Sequence, residues 1–582
     1  MQKITLTILF FIVCELSFGQ VPIFEKEHNI SRKAKKGYLG NVAADNEKMT
    51  FDMSFVLPSS ASKIKVETYT FDKELNLINT QKEEEEIERV RAKYSWIKFR
   101  GETYSVNLLT ASANLTNKLV FRKKEITYSW SWWQGAYTRN ARMLEKVKPK
   151  SEETGEKYMF FGGSYENEST SNLLVLAAVQ AKNSSAGYQM TYDVLSCDAN
   201  VNINKVTSIK FDYPNMPVFS SPLISSSNST ADEAAQNGSD WIVVFAPSEG
   251  KKNDPSPRNY TYVRMNGKGE VVEKFNFNSP ANGWRIAVAY DQEGSVTLAG
   301  AAIIDRPDKK LISKIFPMGT VAKTSADLEE KKLSQNTNNP FAAVAGANSV
   351  LTQEELDFQL DNLKYTNFEV GRVKDGKMSF MACPNLETFD KLKAKPIDQK
   401  KYVEFDGKRF DIFSGHMEKK GDFFITGQDF NLDKMGKNKG TRLYRGVYVF
   451  HFSNTGDLIK DYGIEVDQKK ARGFMSSGPQ PGQLPTYTLL QQSADGNNEY
   501  VFMFYVKKFD EFTPLRSVEY GSIDLKKNEL SEFKSLGEDN NRKFYLFRNN
   551  QPTQVQLGQY KIFLSETFSG DKINLSRFDL SK

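Results

Sequence analysis

The stretch Tyr262-Val-Arg-Met-Asn-Gly-Lys-Gly-Glu-Val-Val-Glu-Lys-Phe-Asn-Phe277 constrains this chain more than any other. An extended apolar run meets a Gly-containing turn, and a second extended run returns beside the first. Asn266-Gly267 is the dipeptide that tolerates the positive φ angles of a two-residue hairpin turn, which places the turn there. An isolated hairpin is marginal in water. Many such units must therefore bury one another.

The unit recurs with different wording: Tyr69 through Leu77, Tyr192 through Asn204, Phe368 through Met378, Tyr448 through Leu458 and Tyr520 through Leu530. A divergent copy lies at Lys118 to Trp133. Upstream of several copies runs a second apolar segment holding a glycine, as in Lys157–Gly163, Gly294–Gly300 and Gly421–Gly427. Their β-branched and aromatic content favours strand over helix, and their near-continuous apolarity suits burial on both faces.

One hairpin with one or two inner strands makes a small antiparallel sheet that cannot bury both faces alone. Sheets stacked radially around an axis can. The copies resemble the blades of β-propellers, including the secreted and periplasmic ones, at the level of pattern. They carry no WD dipeptide and no Kelch signature. The resemblance implies an all-β fold, a β-propeller of seven blades, with six and eight as alternatives. Separate β-sandwiches would show similar strands, and the irregular intervals between copies speak for that option. The final hairpin, Tyr560–Phe568 and Ile573–Leu580, lacks an outer strand, and Val21–Leu39 has no blade of its own. The ring is expected to close by pairing these N- and C-terminal strands.

The N-terminus carries an address. Lys3, the apolar run Ile4–Val13 and the small residues near Ser17-Phe-Gly19 read as a cleaved secretory peptide over residues 1–19. Cys14 raises lipidation as an alternative, although Val13 stands where lipoprotein signals place a small residue. No later run has the roughly 20 apolar residues of a transmembrane helix. The expected location is outside the cytoplasm: periplasm, outer-membrane-associated or extracellular. Residues 20–582 then form the propeller domain. The charge of the whole chain, 78 Lys and Arg against 72 Asp and Glu, is too balanced to imply a nucleic-acid partner. Cys197 and Cys383 fall in different expected blades and are read as free thiols.

Residues 318–365 depart from the β pattern and are read as a helical and linker insertion within the propeller. Thr352-Gln-Glu-Glu355 forms a capping box, and Leu356, Leu360 and Leu363 follow as one apolar stripe. These leucines are candidates for binding a partner, or for packing on the propeller's own side. Tyr128, Trp130 and Trp132 alternate with serines, so a strand would place three rings on one face. Such a face can stack against sugars, or fill the space between two blades.

Sites for chemistry are scarce. The chain has three histidines and no HExxH, paired CxxC or G-x-S-x-G, so neither a zinc site nor a serine triad is written in it. No cofactor is expected. Asp429, Asn431 and Asp433 alternate like the first ligands of a calcium loop. Lys434 and Gly440 then break the pattern, which leaves a polar loop as the plainer reading. The leading function is a non-catalytic scaffold that docks an envelope protein. The alternative is a carbohydrate-binding or carbohydrate-active propeller.

Overall fold

The computed structural model describes residues 23–581 apart from 35–37, 59–62, 87–103, 114–117, 132–135, 168–171, 181–188, 226–237, 248–258, 305–364, 435–439, 467–482, 511–512, 537–542, 549–550, 568–571 and the single positions 162, 282, 293, 408 and 419. The regular structure of the described residues is strand, apart from one six-residue helix at Leu386–Lys391 and isolated 3-10 positions.

The repeated turn is tighter in its chemistry than the Asn-Gly dipeptide suggests. The Asn266 amide donates to Glu270 O, and the Gly269 amide donates back to Asn266 O. The Asn266 side-chain oxygen accepts from the amides of Lys268 and Glu270. Gly269 carries the positive φ, 88°, and Gly267 does not. The expected two-residue turn is thus a five-residue one, because a single Asx oxygen can hold two amides at once. Asp72–Asn76 and Asp198–Asn202 repeat it, with Leu75 (φ 58°) and Val201 (φ 63°) in the left-handed position. A non-glycine residue there costs about 1–2 kcal/mol. Burial of both side chains offsets it.

The described strands group into eight blades, two of which share one seven-stranded sheet. Blade 1 is Tyr38–Asp45, Thr50–Pro58, Lys63–Asp72 and Leu77–Glu86. Blade 2 has three described strands, Tyr104–Ala113, Leu119–Ser131 and Ala136–Val147. Blade 3 holds Ser164–Asn167, Asn172–Ala178, Gln189–Cys197 and the first half of Ile203–Pro222. The second half of that strand begins blade 4, followed by Trp241–Pro247, Asn259–Met265 and Val271–Asn278. Blade 5 is Gly283–Gln292, Ser295–Ile303, Asn367–Lys374 and Lys377–Ala382. Blade 6 is Phe410–Met417, Phe423–Lys434, Gly440–Phe452 and Leu458–Ile464. Blade 7 is Tyr487–Gln492, Asn498–Asp510 and Thr513–Asp524, edged by two short strands. Blade 8 is Gln554–Leu557, Tyr560–Thr567, Lys572–Asp579 and, last, Ile23–Asn29.

The count is the highest of the three considered, eight against the expected seven. The extra blade is the divergent copy at Lys118–Trp133. Leu119–Ser131 is one long strand, and its hairpin partner begins only at Ala136.

Among the described residues blades 3 to 8 each pack on two neighbours, which two-sheet sandwiches do not do. In Trp241–Pro247 every residue is buried: Trp241, Val243 and Phe245 face blade 3, while Ile242, Val244 and Ala246 face blade 5. Blade 6 likewise turns Tyr448, Phe450 and Phe452 toward blade 5, and Val447 and Val449 toward blade 7. Burying a Val or Phe side chain contributes about 1.5–3 kcal/mol, so the continuous apolar runs are what a radial stack requires. From blade 3 to blade 7, and between blades 8 and 1, first strands of successive blades touch one another and so line the axis.

Those inner strands bulge. The ladder slips at Ala287 in blade 5 and at Phe413 in blade 6. Opposite each bulge stands a glycine. A Cβ on Gly300 would lie 1.9 Å from Arg285 O, and one on Gly427 would lie 2.2 Å from Asp411 O. The glycines ending Gly294–Gly300 and Gly421–Gly427 are there because the bulged strand approaches that closely.

The ring closes as expected. Ile23–Asn29 pairs antiparallel with Lys572–Asp579, Ile23 opposite Phe578 and Asn29 opposite Lys572. The following residues are then fixed to blade 1: Ser31 Oγ donates to Glu67 Oε2 (2.6 Å), and Tyr69 OH donates to Glu67 Oε1 (2.8 Å).

Candidate functional site

The two ends of the ring differ. At one end the strands are joined mostly by short turns such as 72–77, 265–271, 374–377 and 492–498, with 222–241 the long exception. The other end carries the connections 178–189, 247–259, 303–367, 382–410 and 464–487. The chain leaves blade 5 at Ile303 and returns to it at Asn367, in adjacent strands.

Blades 6 and 7 extend at this loop-bearing end. In blade 6 the first strand stops at Phe410, opposite Asp429, while the second and third strands continue as the ladder Phe430–Lys434 with Gly440–Tyr444. In blade 7 the first strand begins at Tyr487, opposite Phe504, and the ladder Tyr505–Asp510 with Thr513–Ser517 continues beyond it. Two hairpins therefore rise side by side.

Arginines and aromatic rings gather at their base. The bulge re-aims Phe413, whose ring lies 5.7 Å from Tyr487 and 6.3 Å from Tyr444. Arg516 lies over the Tyr487 ring at 4.7 Å and donates to Pro485 O and Phe504 O. Arg442 stacks on Phe430 at 4.6 Å. Arg442 Nη1 and Tyr444 OH both donate to Asp411 Oδ2, each at 2.8 Å. Arg442, Tyr444 and Asp411 are half-buried. Burial raises the Tyr444 pKa, and Asp411 raises it further, so its hydroxyl stays a donor. Burial lowers that of Arg516 to about 10, which leaves it charged at neutral pH.

Asp411 is committed to an arginine and a tyrosine. The group offers planar donors, flat apolar faces and one fixed carboxylate.

The sequence candidates sit elsewhere or only in part here. Phe423–Lys434 is a strand, so the polar loop expected around Asp429 is not one. Asp429 accepts from Gly446 N–H at 2.8 Å and is paired with Arg445. Burial pushes its pKa up to about 6 against the opposing pull of Arg445 and the Gly446 amide. Asn431 is exposed in the same strand, and Asp433 pairs with Thr441 in the ladder. Among the described residues, no three His, Cys, Asp or Glu side chains converge as a metal site. Tyr128 and Trp130 lie in the blade 2 strand opposite Arg139 and Tyr137. Their side chains, and Trp132 altogether, lie outside the described residues. So do Leu356, Leu360, Leu363 and residues 318–364, as well as residues 1–19. Cys197 and Cys383 are free thiols, and burial pushes the Cys197 thiol up to about 12.

Sequence reasoning missed the blade 6 and 7 group. Its one readable signal was the aromatic and arginine content of Arg442-Leu-Tyr444-Arg445 beside the Gly421–Gly427 strand.

No family model and no curated protein matches the chain. Among solved structures it is similar to the WD40 domain of SCAP from fission yeast, at 7% identity and a TM-score of 0.26, covering 96% of this chain and 98% of that one. It is also similar to a variant of Synechocystis apocarotenoid oxygenase, at 8% identity and a TM-score of 0.29, covering 85% and 93%. TolB from Acinetobacter baumannii follows at 9% identity and a TM-score of 0.18, covering 82% and 79%. Likenesses this loose carry no argument. The propeller architecture rests on the strand pairing and inter-blade packing described above. Among the described residues no helix is long and apolar enough to cross a membrane.

Proposed function

We propose that this chain is an exported, non-catalytic β-propeller that docks a protein partner of the cell envelope through its loop-bearing end. The observation that carries the reading is the raised pair of hairpins on blades 6 and 7, with Arg442, Tyr444, Phe413, Tyr487 and Arg516 at their base. Arginine and tyrosine dominate interface hot spots because each combines apolar area with directional donors. Export rests on the sequence of residues 1–19. The insertion 318–365 leaves from the same end and is proposed as a second part of the docking face.

A carbohydrate ligand is the second reading, favoured by half-exposed rings beside a fixed carboxylate, a combination that also suits sugar hydroxyls. The two readings separate experimentally. The full chain with Arg442→Ala and Tyr444→Ala is cross-linked in its native envelope alongside the wild type, and both proteins are tested on a glycan array. Loss of a specific protein cross-link with a silent array supports docking. An unchanged cross-link pattern overturns it, and array binding lost in the variant transfers the site to the carbohydrate reading.

A further inference from the structure

Two of the chain's three histidines meet two glutamates inside the seam between blades 6 and 7, at the short-turn end. The seam is otherwise apolar, with Phe424, Val449, Ile464, Val501 and Met503 at its centre. His416 and His451 both stand opposite Phe424 in the blade 6 ladder, and the His451 and Phe424 rings stack at 4.2 Å. His416 Nδ1 lies 2.8 Å from Glu499 Oε1, which blade 7 contributes. His451 Nε2 lies 3.7 Å from Glu418 Oε1. The Glu499 side chain is fully buried, and those of Glu418 and His451 are 5% and 4% exposed. Lys561 faces His416 from blade 8, and Lys420 and Asp422 face Glu418 from the adjoining turn. Asn528 faces His451 from blade 7.

That turn is a junction. Glu418 N–H donates to Asp422 O, and Asp422 Oδ1 accepts from the Asn454 amide. Arg372 of blade 5 donates to Gly421 O (2.8 Å) and Asn454 O (3.2 Å). The turn that carries Glu418 is thus tied to blade 5 as well as to its own blade.

We propose that this cluster is a proton-dependent latch, which holds blades 6 and 7 together while protonated and loosens as its protons leave. Two carboxylates and two imidazoles in an apolar seam cannot all be compensated when deprotonated, since unpaired buried charge is what such a site tolerates least. Burial raises Glu418 to about 7, with the charges of Glu499 and Asp422 adding to it. Burial also raises Glu499, against the pull of His416. For His416 burial acts downward, and Glu499 and Glu418 outweigh it, leaving the imidazole above its ordinary value.

Glu418 holds a proton that the unfolded chain has released, so its contribution to stability is lost as pH rises through about 7; that of His416, raised above 6.5 by its carboxylate neighbours, is lost in the same direction above 6.5. His451 has the opposite sign. Burial lowers it to about 4, so it weakens the fold only as pH falls from 6.5 toward 4. The seam should be tightest in mild acid.

Hydrogen exchange on the full chain between pH 6 and 8.5 tests this, each rate being divided by the intrinsic rate at the same pH. In the wild type the protection of amides in Val447–His451 and Val501–Met503 should fall about tenfold or more from pH 6 to 8.5, while protection in blade 3 stays level. Glu418→Gln removes the group that titrates near neutrality and should flatten that dependence. If Glu418→Gln does not fold, Glu418→Met is measured the same way with the same expectation. Protection independent of pH in the wild type, or a dependence that survives in the folding variant, overturns the latch.

Discussion

Ring closure places a measurable load on one carboxylate, Glu67. It lies in the third strand of blade 1, 3% exposed, and accepts from Ser31 Oγ at 2.6 Å and Tyr69 OH at 2.8 Å, with Lys82 Nζ at 3.2 Å. Ser31 belongs to the segment that leaves the closing strand Ile23–Asn29, so Glu67→Ala frees the closure from blade 1. Hydrogen bonds to a charged acceptor are worth about 1.5–3 kcal/mol each. Lys82 is 68% exposed and adds under about 1 kcal/mol. Removing the carboxylate also removes its own burial cost, which leaves a net loss of roughly 2–4 kcal/mol. Over the 582-residue chain, an unfolding entropy of about 2.1 cal/mol/K per residue gives about 1.2 kcal/mol/K. The expected fall in melting temperature at pH 7 is therefore about 2–3 °C by calorimetry.

Acid supplies an independent check. Burial works to raise the Glu67 pKa, and the donors Ser31, Tyr69 and Lys82 together outweigh it, so the pKa lies below its usual 4.5. A depressed carboxyl stabilises above its unfolded pKa and loses that contribution as pH falls through the folded one. The gap between wild type and Glu67→Ala should accordingly close below pH 4.5. A gap under about 1 °C at pH 7, or one that persists undiminished at pH 3, would refute this account of the closure.

Other outcomes follow from the same geometry. Gly427→Ala should abolish soluble expression or cost about 3 kcal/mol or more, because its Cβ meets the Asp411 carbonyl at 2.2 Å. Gly294→Ala, with φ 82° but open space around it, should cost only about 1–2 kcal/mol in a denaturant titration. Cys197 should resist thiol reagents until denaturant is added, since its thiol is buried with a pKa near 12; rapid labelling of the native protein would contradict that. Replacing residues 306–363 by a short linker should leave the melting temperature within a few degrees and abolish docking. Ala302 and Asn367 are ladder partners and need little chain between them, so loss of soluble protein would assign that segment to the fold.

What could be seen in the sequence divides along the range of the interactions involved. The hairpins were legible because strand, turn and strand lie within about 15 residues, and the terminal closure was legible because one hairpin lacked an outer partner. The turn itself was misplaced by two residues. Asn-Gly is a local signal, whereas the position of the αL residue is set by where the Asx oxygen finds its second amide, at Glu270. The eighth blade, one of the two alternatives to seven, was the hardest to see because Leu119–Ser131 is one long strand where the other copies hold strand, turn and strand. Ile203–Pro222 shows a harder case, a single strand that is the outer edge of blade 3 and the inner edge of blade 4. No local periodicity marks the place where its partner changes.

The buried polar groups were invisible for a related reason. Glu499 follows Asn498 at the start of a strand and reads as an ordinary turn-flanking acid. Its environment is decided by His416, 83 positions earlier, and by which face of blade 7 turns toward blade 6. The same holds for Asp411, whose role depends on a bulge at Phe413 that only the glycine opposite, Gly427, hinted at. A propeller writes its scaffold in short repeats and its chemistry across the seams between them. Each seam joins faces whose relative register is fixed by no single stretch of chain. The residues to mutate first are therefore those where a local anomaly coincides with a seam: Phe413 and Asp411 at one end of blades 6 and 7, His416 and Glu418 at the other.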